Sequence, residues 1–229
     1  MKRRYQTRRL RQFLSPHVKR GETAFDIGAN VGQWTAVMRD LGARVIAVEP
    51  QAEVADTLRR RFSGDPGVEV VQSAVGDAPG RGLLHPAATA STHASMSDAW
   101  RKVAAEHRGI PADDWLDAVE VVVTTVDALI EEFGTPEFCK VDVEGLEFQV
   151  LAGLSRPLQG LAFEFHRETL PELERCLGRL GELGEYRFRV FLDEWPDPHG
   201  GELQLQAVSD RVASLPPGSW GMIAARRIS

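Results

Sequence analysis

Residues 23–32, TAFDIGANVG, with the run RVIAVEP at 44–50, constrain the fold of this chain more than any other stretch. An apolar run ends in Asp26, turns on Gly28 and Gly32, and enters a segment with helical character. A second apolar run then ends in Glu49. This is the layout of a nucleotide-type site at the carboxyl edge of an open α/β sheet. A dinucleotide fingerprint needs G-x-G-x-x-G, and Asn30 stands where its second glycine belongs. Asp26, just ahead of the turn, would press like charge against a pyrophosphate, yet it suits the ammonium of an amino acid. A ribose and a zwitterionic amino-acid tail together describe S-adenosylmethionine.

Each residue has an expected part in such a site. Gly28 and Gly32 allow close backbone approach, and the helix they open turns its first amides toward the methionine carboxylate. Asp26 reaches the ammonium, directly or through water. Glu49, 23 residues on from Asp26, accepts from the ribose hydroxyls, and Pro50 opens the next helix. Ser73 and Ala74, after a third strand, lie beside the adenine, with Asp77 accepting from its amino group.

Strands and helices alternate beyond residue 20. Strands are expected at 23–27, 44–49, 68–71, 119–123, 138–143 and 161–165, and helices at 33–41, 52–62, 127–133, 145–154 and 171–183. The end of the chain reads as strands at 186–192, 202–208 and 221–226, with turns at 195–201 and 216–218. The fold class is therefore α/β, a mostly parallel sheet with an antiparallel edge and helices on both faces. The almost continuously apolar run 138–143 fits a strand covered on both sides. Residues 85–117 break the rhythm. Stretches of this length inside a compact domain tend to carry function, so 85–117, with Ser91, Thr92, Trp100, His107 and Trp115, is expected to form a cover over the substrate or cofactor. The plainer reading of the same stretch is a surface helix over 98–107.

A second constellation lies at 140–147, KVDVEGLE, followed by LAFEFH at 161–166. Period 2 sets Lys140, Asp142 and Glu144 on one side of the strand, away from Val141 and Val143. Asp142 and Glu144 fall where the strand leaves the sheet, and Glu164 and His166 fall at the same end of the next strand. Methyl transfer to a hydroxyl needs alignment and removal of a proton, and a base contributes about 10²–10⁴-fold. His166 is the preferred base, because its ordinary pKa lies near working pH. Asp142, Glu164 and His166 could instead hold Mg²⁺ or Mn²⁺. A plainer alternative pairs Lys140 with Glu144 or Glu147 and leaves His166 in the core.

Composition narrows the rest. A chain of 229 residues, 43% hydrophobic and 26% charged, suits one α/β domain over 1–229. No apolar run approaches the ~20 residues of a membrane helix. The basic N-terminus lacks the apolar core of a secretory signal. Cys139 and Cys176 are too few for a disulfide scaffold, so a cytoplasmic location is expected. Residues 1–20 carry eight Lys or Arg and no acid, which leaves −14 on the remainder of a chain at −6. This arm reads as a helix that tucks Leu10, Phe13 and Leu14 onto the domain. An acidic body repels a polyphosphate backbone, so nucleic acid is not the expected partner.

At these residues the chain resembles the FkbM family of S-adenosylmethionine-dependent methyltransferases. The resemblance rests on DIGANVG (26–32), VEP (48–50), TTVDAL (124–129), KVDVEGLE (140–147) with VLAG (150–153), and FEFH (163–166). It covers about residues 22–166. It implies a class I methyltransferase sheet of about seven strands, with the last one antiparallel, and O-methylation of a sugar or natural-product hydroxyl. It also carries cofactor roles onto Asp26, Gly28, Asn30, Gly32 and Glu49. Three rivals stay open at this stage: a nucleic-acid methyltransferase served by the basic arm, an NAD-dependent oxidoreductase, and a binding module that keeps only the fold. The expected partner is a small-molecule or saccharide acceptor, and homo-oligomerisation is compatible with the sequence.

Overall fold

The computed structural model describes residues 2–88, 93–192, 195–196 and 201–228, with side chains described from residue 7 onward except at 195 and 196. Ser91, Thr92 and most of the 195–201 turn, with His199, lie outside the described residues. The chain runs α1 (Lys2–Leu14), β1 (Thr23–Ile27), α2 (Gln33–Asp40), β2 (Arg44–Val48), α3 (Ala52–Arg61), β3 (Val68–Val71) and β4 (Ala74–Val75). It continues β5 (Gly80–Pro86), β6 (Ala94–Ser95), α4 (Asp98–Val103), β7 (Val119–Thr124), α5 (Val126–Phe133), β8 (Phe138–Val141) and α6 (Glu147–Ala152). It finishes β9 (Gly160–His166), α7 (Leu170–Leu183), β10 (Tyr186–Leu192), β11 (Trp195–Pro196), α8 (Leu205–Ala213) and β12 (Trp220–Arg227).

The main sheet has the order β11-β10-β12-β9-β8-β1-β2-β3. β3, β2, β1, β8 and β9 are parallel neighbours, whereas β12 runs antiparallel between β9 and β10. The antiparallel strand thus sits inside the sheet, and the short β11 forms the edge. Every residue of β8 and β9 is buried, as a sheet covered on both faces requires. Period 2 divides the strands between two cores. Phe25, Ile27, Ile46, Val48, Cys139 and Val141 face α5, α6 and α7. Ala24, Val45 and Phe138 face α1 and α2. Leu10, Phe13 and Leu14 of α1 are buried as expected, and Phe13 packs edge-on against Trp34 at 5.1 Å and Phe191 at 4.4 Å. Among the described residues, no helix is long and apolar enough to cross a membrane.

Three expectations change. The strand expected at 202–208 is helix α8: Leu205, Val208, Val212 and Leu215 form one apolar stripe at helical spacing, and it packs into the core under β10. Only Leu203 keeps an isolated bridge, to Phe188. The strand and helix at 138–154 are both shorter than expected. The ladder ends where Asp142 N–H donates to the Ile27 carbonyl, and residues 143–146 turn through left-handed backbone at Glu144 (φ 57°) and Gly145 (φ 96°). The described residues of 85–117 hold the short strand β6 besides a helix, α4, shorter than the 98–107 expected. β5 and β7 pair antiparallel, β6 adds to β5, and Ser97 caps α4 by accepting from Trp100 N–H at 3.1 Å. α4 runs on into a π-helical turn at Ala104–Arg108, and Trp100, Ala104, Ile110 and Ala87 make a small core of their own.

Candidate active site

The turn after β1 is built by close approach. A side chain at Gly28 would put Cβ 1.7 Å from the Asp142 carbonyl oxygen, so only glycine lets this turn lie against the end of β8. Gly28, Asn30 and Gly32 all take left-handed backbone. Most amides of the turn are spent inside it. Gly28 and Ala29 N–H donate to the Val48 carbonyl, Asn30 N–H donates to Glu49 Oε2 at 3.0 Å, and Val31 N–H donates to Asn30 Oδ1. Gln51 N–H holds the other Glu49 oxygen at 2.9 Å. Burial raises the Glu49 pKa, and these two backbone donors oppose that rise. Each oxygen still has lone-pair capacity to spare.

A cavity of about 240 Å³ opens over this turn at the carboxyl ends of β1, β2 and β8. Its wall includes Gly28, Asn30, Gln33, Trp34, Glu49, Ser73, Ala74, Lys140, Asp142 and Glu144. Ser73 contributes wall rather than a free hydroxyl, because its Oγ donates toward the Ala74 and Val122 carbonyls. Asp77 is exposed and outside the wall.

Asp26 is the main correction. It does not line the cavity, because its side chain is fully buried beneath it. Oδ2 accepts from the Thr35 hydroxyl at 2.6 Å, and Oδ1 lies 3.3 Å from Lys140 Nζ. Lys140 also pairs with Asp142 at 3.4 Å and donates to the Gly28 carbonyl at 2.7 Å. Burial alone would depress the Lys140 pKa, but Asp142 and Asp26 together push it above the ordinary lysine value, so the ammonium persists. The plainer sequence reading had Lys140 paired with Glu144 or Glu147. The register of β1 on β8, which sets Asp26 opposite Lys140, decides otherwise.

A second cavity, about 210 Å³, adjoins the first across Leu146. Trp100, Gly145, Glu147, Gln149, Glu164, His166, Glu172, Arg175 and Cys176 are in its wall. His166 Nε2 and Glu164 Oε2 face each other at 3.2 Å, yet neither is aligned for a hydrogen bond. Burial first, then the Arg108 charge, push His166 down to about 4, so it is neutral at working pH. Glu164 and Glu144 are pushed well above the usual carboxylate range by burial. Glu144 is raised further by Glu164 and Asp142, and Glu164 by Asp142 and Glu147. Glu147 is raised to about 7 by burial, against the Val143 and Gly145 amides that donate to Oε1.

The structure therefore brings Asp142 and Glu144 to the first cavity and Glu164 and His166 to the second. Among the described residues, no group of three or more His, Cys, Asp or Glu side chains is arranged to hold a metal ion. The proposed trio Asp142, Glu164 and His166 is divided because Asp142 is drawn to Lys140 on the cofactor side.

Sequence reasoning missed what the 85–117 stretch supplies. Ser95 donates to the Glu144 carbonyl at 2.7 Å, and His93 lies 3.9 Å from the Glu144 carboxylate. The Trp100 ring sits 5.0 Å from the His166 ring and over Gly145, where any Cβ would strike it. Arg108 stacks on Trp220 at 4.0 Å. The helical character of 98–107 signalled a helix here, and nothing local signalled where it docks.

The strand order, the interior antiparallel β12 and the cavity at the parallel strands' carboxyl ends define a class I S-adenosylmethionine-dependent methyltransferase, with that compound as methyl donor. The sequence model described as Methyltransferase FkbM domain matches residues 26–190, and the chain belongs to that family. No curated protein matches the sequence. Among solved structures, it is similar to precorrin-6y C5,15-methyltransferase from Geobacter metallireducens, with TM-score 0.50 and 11% identity over 99% of this chain and 86% of that one. It is also similar to a Streptococcus mutans protein crystallised with SAH (TM-score 0.46, 10% identity, 95% of each chain). An rRNA methylase from Streptococcus thermophilus matches with TM-score 0.45 and 12% identity, over 96% of this chain and 94% of that one. At such identities the first likeness speaks for the fold alone.

Proposed function

We propose that this methyltransferase transfers the donor's methyl to a hydroxyl of a small-molecule or saccharide acceptor, as in natural-product assembly. When bound, S-adenosylmethionine supplies an electrophilic sulfonium methyl. The residues of the first cavity fit its parts. Glu49 can accept from ribose hydroxyls, and the first amides of α2 at Gln33 and Trp34 suit a carboxylate. Asp142 and Glu144 suit the ammonium, and Ser73–Val75 with Leu84 form a wall for the base. Asp26 acts on this site through Lys140, which ties Gly28 to Asp142.

The observation that carries the hydroxyl reading is the facing pair Glu164 and His166. A hydroxyl attacks well only if its proton can leave during the transfer. His166 is neutral, its Nε2 is unengaged by an aligned hydrogen bond, and it borders the cavity next to the cofactor's. The Glu164 carboxyl stands 3.2 Å from this nitrogen. Ser97, Ala99, Trp100 and Val103 wall the cavity that holds this pair, with the Trp100 ring 5.0 Å from that of His166, which supports reading the 85–117 insertion as a lid over the acceptor. The buried carboxylates beside the site favour a small molecule over a nucleic-acid backbone. In a methylation assay with extracted small-molecule acceptors, His166→Ala should lower turnover by at least about 10²-fold while leaving SAH affinity unchanged. Unchanged turnover removes His166 from the base role.

A further inference from the structure

The second cavity asks more of its ligand than a hydroxyl. Four buried polar atoms without hydrogen-bond partners belong to residues of its wall: Trp100 Nε1, Gln149 Oε1, Glu164 Oε2 and His166 Nε2. Glu164, His166 and Trp100 are each more than nine-tenths buried, so water satisfies them poorly and a ligand can satisfy them well. The charged groups of this otherwise largely apolar wall are three carboxyls, Glu147, Glu164 and Glu172, and one guanidinium, Arg175. Glu172 is matched by Arg175 at 3.0 Å. Among the described residues, Glu147 and Glu164 face no lysine or arginine at ion-pair distance, and Arg108 stands outside the wall, over Trp220. The unmatched carboxyls thus lack a cation in a largely buried pocket, and burial keeps them wholly or partly protonated until one arrives.

We propose that the acceptor carries a protonated amine near its reacting hydroxyl, as an amino sugar does, and that Glu147 and Glu164 receive the ammonium in the second cavity, with Gln149 Oε1 as a further acceptor. An ammonium offers three donors and no acceptor, which is the complement of this wall. The acceptor's oxygens remain for the Trp100 indole N–H. His166 stays with the reacting hydroxyl. The strain of holding carboxylates here without a cation appears in their raised pKa values, which an ammonium would lower again. The inference rests on the second cavity being the acceptor site.

The test uses the full chain loaded with SAH, titrated calorimetrically at pH 7 with glucosamine, N-acetylglucosamine and glucose. Glucosamine should bind at least 10-fold more tightly than either neutral sugar, with protons released on binding. Glu147→Gln should remove most of that preference while SAH affinity holds, which excludes a folding defect. Equal affinity for the three sugars, or no measurable binding of glucosamine, overturns the inference. Methyl transfer to an oxygen of the neutral sugars without preference would leave the hydroxyl reading standing and remove this one. Methylation of the glucosamine nitrogen would instead remove the hydroxyl reading.

Discussion

Replacing Lys140 with methionine tests the electrostatic centre of the site. The ammonium is 2% exposed and stands 3.3 Å from Asp26 and 3.4 Å from Asp142, with the Gly28 carbonyl at 2.7 Å. Methionine fills much of the same volume, so packing loss is small and the electrostatic loss dominates. Removing one partner of a buried pair costs about 3–5 kcal/mol, because the other charge is left without compensation. Against a total stability of about 5–15 kcal/mol this is large. At about 2–4 °C per kcal/mol for a chain of this size, the Tm should fall by about 6–20 °C. The folded-state pKa of Lys140 lies above its ordinary 10.5. Its contribution is therefore complete below that value and lost only as pH rises past it, so the deficit should be constant from pH 6 to 9. Urea unfolding followed by circular dichroism measures it, and SAH titration should show weakened binding as the Gly28 turn loses its tie. Lys140→Met combined with Asp26→Asn removes the stranded charge and should recover about half of the loss. A deficit under about 1 kcal/mol, the value of an exposed pair, would refute the reasoning, as would a double variant no better than the single.

Other expectations follow from the same geometry. Glu49→Ala should weaken donor binding at least about 10-fold by calorimetry, since a hydrogen bond to a charged acceptor contributes about 1.5–3 kcal/mol; unchanged affinity would remove Glu49 from the ribose role. Gly28→Ala should abolish donor binding and destabilise the fold, because its Cβ would lie 1.7 Å from a backbone oxygen. The Glu147 pKa is raised from 4.5 to about 7, so its contribution is present below pH 4.5 and lost as pH rises through 7. Glu147→Gln should then lessen the fall in stability between pH 5 and pH 8 by about 1–3 kcal/mol, and an identical slope in both proteins contradicts this. His166 runs the other way: its stability is present above pH 6.5 and lost as pH falls toward about 4. The acid limb of the turnover profile should accordingly lie well below 6.5. Finally, activity should survive excess EDTA if His166 is the base, whereas loss and rescue by Mg²⁺ would restore the metal reading.

The parallel half of the fold was legible because its signals are local and concordant. The bounds of β1 and β3 follow from apolar runs bracketed by turns, and the glycine turn carries its own steric reason at Gly28. Two kinds of error share one cause. α8 was misread because Leu203, Leu205 and Ala207 alternate as a strand would, and only packing under β10 selects the helical stripe. Asp26 was assigned to the cofactor because its sequence neighbours cannot reveal that β1 lies beside β8 with Lys140 opposite. A lysine inside the run FCKV was the available clue, since a buried ammonium must find carboxylates. The contribution of Ser95, Trp100 and Arg108 depends on how residues 85–117 fold back over β8 and β9, and no periodicity encodes that.

The most direct test of the account supplies the protein with methyl-13C-labelled S-adenosylmethionine and a fractionated pool of hydroxylated small molecules, then locates the label in the product by NMR. The account predicts a labelled methyl on oxygen, with the yield collapsing for His166→Ala at undiminished SAH affinity. Label on nitrogen, on carbon or on RNA would contradict it.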